Sequence, residues 1–270
     1  MGHTTASPEP TLEQEPARPV ITVGLSEKIV LACTLLVITV FRVVHFETWA
    51  VPMGDYSQYR RQANALLDGT IDTSTPVAPL TSVLMAVLHP LMPGPDQYLH
   101  AGSLVSLIAG TLLILFLWRI VREFLPPALA IFVVWLFAYN NEVTWISLQP
   151  GSDAPFVCMV LFAFALDVRQ SAWAYIPASL ATLARFQGGA AIVALFVRDI
   201  FTGEARLKRA AYAALALMPV VWWYFAFKHS AGSAPYGGAS RLSAGPHFTF
   251  FKALAATPLE LLPRAFAAAI

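Results

Sequence analysis

The chain has 270 residues, 57% of them hydrophobic and only 12% charged, with a formal net charge of +1. A soluble domain carries about 25% charged residues, and mean hydropathy here is +0.62. This composition excludes an ordinary soluble fold and makes the lipid bilayer part of the solvent; without a basic tract, nothing points to nucleic acid.

Residues 1–25 are rich in Pro, Thr and Glu and lack the basic start and small-residue cleavage site of a signal peptide. They are predicted to be a disordered cytosolic tail, leaving residues 26–270 as one membrane domain. Ser26 is the expected N-cap of the first helix. The run 29–46 is almost wholly apolar and reads as an uncleaved signal-anchor, with Arg42 near its far end, placed to snorkel to the interface. Residues 47–78 are polar by comparison. Within them Tyr56, Tyr59, Ala63, Leu66 and Leu67 share a helical face that Gly69 ends, the pattern of an amphipathic helix lying on the membrane surface. The segment 80–91 is apolar but only about a dozen residues long, bounded by Pro79, Pro90 and Pro93, which suits an interfacial or re-entrant helix rather than a span.

Charge then orders the spans. The run 99–118 is a full-length span that ends in Arg119 and Arg122, which belong in the cytoplasm. With the N-terminus also inside, 80–91 cannot cross, and the first loop faces outward with two surface helices. Thereafter 128–139 goes out, 156–166 returns towards Arg169, and 173–184 and 190–197 go out and back as short spans. The basic cluster Arg198, Arg206, Lys208 and Arg209 follows inside. The run 210–227 goes out again, with Pro219 as a kink and Trp222, Trp223 and Tyr224 as an interfacial belt. A loose outward loop over 228–247, an amphipathic stretch over 248–262 and an apolar run from Ala265 complete the chain, which is expected to stop inside a helix, as a fragment or truncated product would. The expected fold is an all-α, polytopic, integral membrane helical bundle with amphipathic surface helices in the first outward loop, set in the plasma (inner) membrane.

In this topology Asp55, Asp72, Asp153 and Arg185 gather on the outer side. Asp55 precedes the surface helix with Gln58 three residues on, a capping-box spacing. It is equally placed to serve as a general base or metal ligand at the membrane lip. Asp153 opens a returning helix, where the helix dipole favours an acid; alternatively it is a second carboxylate facing the same cavity. Arg185 lies between two short apolar helices on the side where positive charge is disfavoured, so it needs an anionic partner. That partner is either a protein carboxylate or a lipid phosphate, which its planar fork would grip bidentately, and Gly188 and Gly189 would let backbone approach a ligand. The histidines show no metal-ligand spacing, and Cys33 and Cys158 sit in apolar runs, so a structural zinc site is not encoded. Neither a phosphate-binding Gly-rich loop ending in Lys nor a Gly-x-Ser-x-Gly elbow is present.

The first span followed by Gly54-Asp55-Tyr56 and Tyr59, then Pro76–Pro79 and an apolar surface helix, the long span ending Trp118-Arg119-Ile120-Val121-Arg122, Ser152-Asp153 opening a span, and the 180–188 segment with Arg185, together resemble the GT-C superfamily of polyprenyl-phosphate-dependent glycosyltransferases. The likeness covers roughly residues 28–228. It implies a catalytic aspartate in the first outward loop, which maps onto Asp55. Many members carry an Asp-Glu pair there; here Tyr56 follows instead. The resemblance further implies a polyprenyl-phosphate sugar donor, bound with the help of Arg185, Asp153, Tyr56 and Tyr59. A divalent metal, if used, would fall to Asp55 and Asp153. Two other classes of function fit the same residues: a transporter or flippase, suggested by broken helices and an intramembrane arginine, and a non-catalytic truncated remnant.

Overall fold

A computed structural model describes residues 24–46, 55–72, 74, 77–202 and 206–232. Residues 1–23 of the predicted tail, the part of the 228–247 loop beyond Gly232, the stretch over 248–262 and the run from Ala265 lie outside the described residues; residues 228–232, expected in that loop, are helical instead. Those described are helical throughout, with no strand: α1 (Leu25–Val44), α2 (Tyr56–Leu67), α3 (Pro79–Leu88), α4 (Gln97–Val121), α5 (Pro127–Ala138), α6 (Asn141–Leu148), α7 (Asp153–Asp167), α8 (Tyr175–Ala184), α9 (Gly189–Thr202) and α10 (Arg206–Gly232).

Two helices, over Gln97–Val121 and Leu207–Lys228, are long and apolar enough to cross a bilayer; α5 and α6, bent by 63° at their junction, would count as a third if they form one broken span. At 20 residues α1 is long enough to cross, about 30 Å at the usual rise, but Glu27, Lys28 and Arg42 interrupt its apolar character. Large apolar side chains lie bare on the outside: Val37, Val40 and Val44 of α1, Phe132 and Leu136 of α5, Met218, Trp222 and Phe225 of α10. Surfaces this apolar are stable only against lipid or another apolar partner.

The helix α4 is the central post, and its sequence explains why. Gly102, Ser106 and Gly110 recur every four residues, a small-residue stripe that lets neighbouring backbones come close. A Cβ on Gly102 would stand 2.8 Å from Pro150 Cβ, and one on Gly110 would collide with Ser147. Between them Ser106 donates to the Gly151 carbonyl at 3.4 Å. The stripe thus seats α6, the 149–152 turn and the start of α7. Further along, Phe116 stacks on Phe162 at 4.4 Å, so α4 and α7 run in the same direction. Against them α1 runs antiparallel to α4, with Arg122 Nε donating to Glu27 at 2.6 Å at one end and Arg42 reaching Gly110 near the other.

Polar groups are therefore sorted to two ends. One end holds Glu27–Arg122, Arg119–Glu123 and a network in which Arg198 pairs with Asp167 and Asp199, Arg209 pairs with Asp199, and Tyr175 donates to Asp199. Two of the four basic residues expected to cluster there are thus neutralised by acids from neighbouring helices. The other end holds α2, α3, the 149–152 turn and Arg185.

Several local expectations are corrected. Arg42 does not snorkel: it is 0% exposed, and its Nη1 donates to the Gly110 carbonyl at 2.6 Å, because the small-residue stripe brings α4 within reach of the guanidinium. Ser26 is not the N-cap, since α1 begins at Leu25 after Gly24. Trp223 is turned inward, 5% exposed, and donates from its indole to the Val77 carbonyl at 3.1 Å, while Trp222 faces outward. The helix α6, absent from the sequence reading, is started by Asn140, whose side chain accepts from the backbone N–H of Glu142 and Val143. Gly69, by contrast, does end α2: it takes φ +70, and Thr70 N–H closes on the Ala65 carbonyl at 2.8 Å, as a left-handed C-terminal cap requires.

Candidate functional site

At the start of α2, Asp55 occupies the N-cap position, yet its side chain makes no capping hydrogen bond. Its backbone is helical (φ −81, ψ −17), and this corrects the capping-box reading. In that conformation the carboxylate cannot swing back over the first-turn N–H groups. Only the Asp55 carbonyl enters the helix, accepting from Gln58 and Tyr59 at 3.0 and 3.1 Å. The carboxylate is exposed and forms no hydrogen bond or ion pair with the described residues.

One turn on, Tyr59 points inward with Tyr56, Gln62 and Ala63, as the helical spacing demands. Its ring packs into a cluster with Val77, Met85 and Ala86, and its phenol oxygen meets Ser152 Oγ at 2.7 Å. Burial pushes the Tyr59 phenol above its ordinary value; Asp55 adds to that shift, while the Ser152 hydrogen bond and Arg185 oppose it. The two opposite charges of Asp55 and Arg185 thus act on one phenol oxygen. Tyr56, the first residue of α2, is also buried and raised, mainly by desolvation.

Asp153 opens α7 directly after Ser152 and forms an ion pair with Arg185 Nη1. Within the described residues the partner of Arg185 is therefore a carboxylate. Arg185 is extended (φ −147, ψ 137) between the end of α8 and a single 3-10 turn over Phe186–Gly188. That turn is held tight because Gly188 lies on the last turn of α8: a Cβ there would come within 2.5 Å of the Ala181 carbonyl oxygen. The pair is accessible, with 31% of the Arg185 side chain and 49% of Asp153 exposed. An exposed pair contributes at most about 1 kcal/mol, so the guanidinium is not locked away. Its remaining N–H donors have no partner among the described residues.

Asp72 belongs elsewhere. It accepts from Ser74 and from Arg61 Nε, and although partial burial pushes its carboxyl up, those bonds outweigh the burial and hold it below the ordinary range. It braces the segment after α2 rather than joining the others. The structure therefore brings Asp55, Tyr59, Ser152, Asp153 and Arg185 to one end and leaves Asp72 as a support. Ser152 was legible only as a neighbour of Asp153; nothing in its sequence context signals a bond to a residue 93 positions away.

Among the described residues no group of three or more His, Cys, Asp or Glu side chains is placed to hold a metal ion. Asp153, one of the two carboxylates considered for that role, pairs with Arg185. What the arrangement offers is an uncommitted carboxylate, a buried phenol and a partly free guanidinium in sequence across one surface. Comparison with family models, curated proteins and solved structures gives no match for this chain, and a functional reading stands on the chemistry of this end alone.

Proposed function

We propose that this chain is a multi-pass membrane glycosyltransferase that moves a sugar from a polyprenyl-phosphate donor to an acceptor on the extracytoplasmic side. The observation that carries the reading is the uncommitted Asp55 carboxylate beside the Tyr59–Ser152 and Asp153–Arg185 pairs. The orientation follows from Arg119 and Arg122 at the opposite end, which the positive-inside rule assigns to the cytoplasm. On the extracytoplasmic side nucleotide sugars are absent, so the sugar must arrive on a lipid phosphate.

In the reaction an acceptor oxygen bonds to the anomeric carbon as the bond from that carbon to the phosphate oxygen breaks. The acceptor proton passes to the Asp55 carboxylate, a general-base role worth roughly 100-fold or more in rate. The bonding pair leaves on the lipid phosphate, whose added charge the free N–H donors of Arg185 stabilise. Asp153 fixes the guanidinium, and the exposed apolar faces of the short helices hold the polyprenyl tail.

Purified protein in nanodiscs, given labelled polyprenyl-phosphate sugars, tests this. Asp55→Asn should lose at least 100-fold in turnover while still binding donor, and Arg185→Ala should weaken donor binding. Full transfer in both variants refutes the assignment. A transporter is the second reading, favoured by the fully buried Arg42 and the 63° break between α5 and α6; solute uptake into proteoliposomes without any sugar transfer would establish it instead.

A further inference from the structure

At the end of the molecule away from Asp55, acids and arginines cancel. Arg122 pairs with Glu27, Arg119 with Glu123, Arg198 with Asp167 and Asp199, and Arg209 with Asp199. Asp199 is buried and also accepts from Tyr175 at 3.0 Å, so the carboxylates here are consumed by the network itself. Two further cations flank it: Arg169, in the turn after α7, and Lys208, in the first turn of α10. Both are exposed, and neither enters an ion pair among the described residues.

Direct bonds hold these two cations in one neighbourhood. Arg209 Nη2 donates to the Gln170 carbonyl at 3.2 Å, and Arg209 and Gln170 are the chain neighbours of Lys208 and Arg169. Each free cation is therefore one residue from the same hydrogen bond. Arg169 is carried on a fixed turn: Gln170 takes φ +56, and Ser171 N–H closes on the Leu166 carbonyl at 3.2 Å. The Lys208 ammonium stands 5.9 Å from the Tyr212 ring, a weak contact that leaves its N–H donors free. Large apolar side chains border the pair. Trp173 is 69% exposed, Phe201 82% and Leu207 87%; Leu207 directly precedes Lys208, Trp173 lies three residues after Gln170, and Phe201 lies two after Asp199.

We infer that Arg169 and Lys208 bind the phosphate of an anionic phospholipid, with Trp173, Phe201 and Leu207 against its acyl chains. A planar guanidinium takes two phosphate oxygens at once, and an ammonium adds a point charge beside it. The bordering apolar groups call for a ligand that carries hydrocarbon beneath its charge, which a lipid has and a free phosphate lacks. A zwitterionic headgroup brings its own cation and gains little from two more, so the complement is a lipid of net negative charge. The site is independent of the transfer chemistry, which lies at the opposite end with Asp55 and Arg185.

The test titrates the full chain, in a neutral detergent, with phosphatidylglycerol or with phosphatidylcholine of the same acyl chains, and counts bound lipid by native mass spectrometry. Phosphatidylglycerol should be preferred by about tenfold or more. Arg169→Gln and Lys208→Gln should each weaken its binding about fivefold, and the two together should erase the preference. Thermal midpoints should hold, because neither side chain has an acidic partner to lose; Lys208→Arg keeps the charge and should bind as the wild type does. Lys28→Gln is the control for a diffuse field. Lys28 is also exposed and without an acid, next to Glu27 at the same end, but on α1, which packs on α4 and α5, whereas α10 packs on α8 and α9. It should bind phosphatidylglycerol unchanged. Equal binding of the two lipids, a loss in Lys28→Gln matching that in Arg169→Gln, or displacement of phosphatidylglycerol by inorganic phosphate at the lipid's own concentration overturns the inference.

Discussion

Replacing Tyr59 by Phe deletes one oxygen and nothing else, and the geometry says what that should cost. Tyr59 is 6% exposed and Ser152 2%, and their oxygens are 2.7 Å apart. Among the described residues Ser152 Oγ has no other partner, so Tyr59→Phe strands a buried hydroxyl; Ser152→Ala strands the phenol instead. Each single change should destabilise the seat of α2 by about 1–3 kcal/mol, whereas Tyr59→Phe with Ser152→Ala, which removes both groups, should approach the wild type. Read as hydrogen exchange of the α2 amides, the single variants should open roughly 5- to 150-fold more often. A pH series adds a sign. The Tyr59 phenol is held above its ordinary value, chiefly by burial. Its contribution is therefore complete below the unfolded value of about 10 and is lost as pH rises through the folded value. Wild-type α2 should loosen in strong alkali through a step that Tyr59→Phe lacks. Additive single-variant effects, or exchange rates unchanged in all three variants, would show that this pair does not fasten α2 and would refute the reasoning.

Three other outcomes follow from the same structure. Gly110→Ala drives a Cβ into Ser147 and disturbs the carbonyl that Arg42 uses; it should lower stability in detergent by about 1–3 kcal/mol or more, with Ser147→Gly restoring part of the loss. Gly188→Ala collides with the backbone of α8 and should displace Arg185 from Asp153. A drop of about tenfold or more in lipid-phosphate affinity, in a protein that still folds, is expected, equivalent to roughly 1.4 kcal/mol. Asp72 is held below the ordinary carboxyl range, so its bracing is present above about pH 4 and is lost as pH falls through its folded value. Proteolysis after α2 should rise in acid for the wild type and be high and pH-independent for Asp72→Asn.

The misread residues share a cause. Arg42 was expected at the interface because a long cation near a helix end ordinarily escapes to water. It is buried because its Nη1 reaches the Gly110 carbonyl of α4, 68 residues away. Trp223 was grouped with Trp222 by adjacency, but neighbours on a helix point about 100° apart, and only Trp223 meets Val77. The Asp55 spacing to Gln58 satisfied a capping box on paper, yet the backbone angle at Asp55 withholds the side chain from that use. In each case a local rule was sound and a distant contact or a single dihedral overrode it.

Apolar runs, proline and glycine punctuation and the 3.6-residue spacing determined the helical class and most helix positions; of the α2 face they marked, Tyr56, Tyr59 and Ala63 are buried, while Leu67 is exposed and Gln62 is buried in addition. These signals are local: burial of apolar side chains and backbone conformation act within a few residues, so the linear chain displays them. Tertiary structure alone decided that Ser152 receives Tyr59 and that Asp153 answers Arg185. Hydrogen bonds and ion pairs reach only about 3 Å, and which groups come within that reach is set by how whole helices stack along the small-residue stripe of α4.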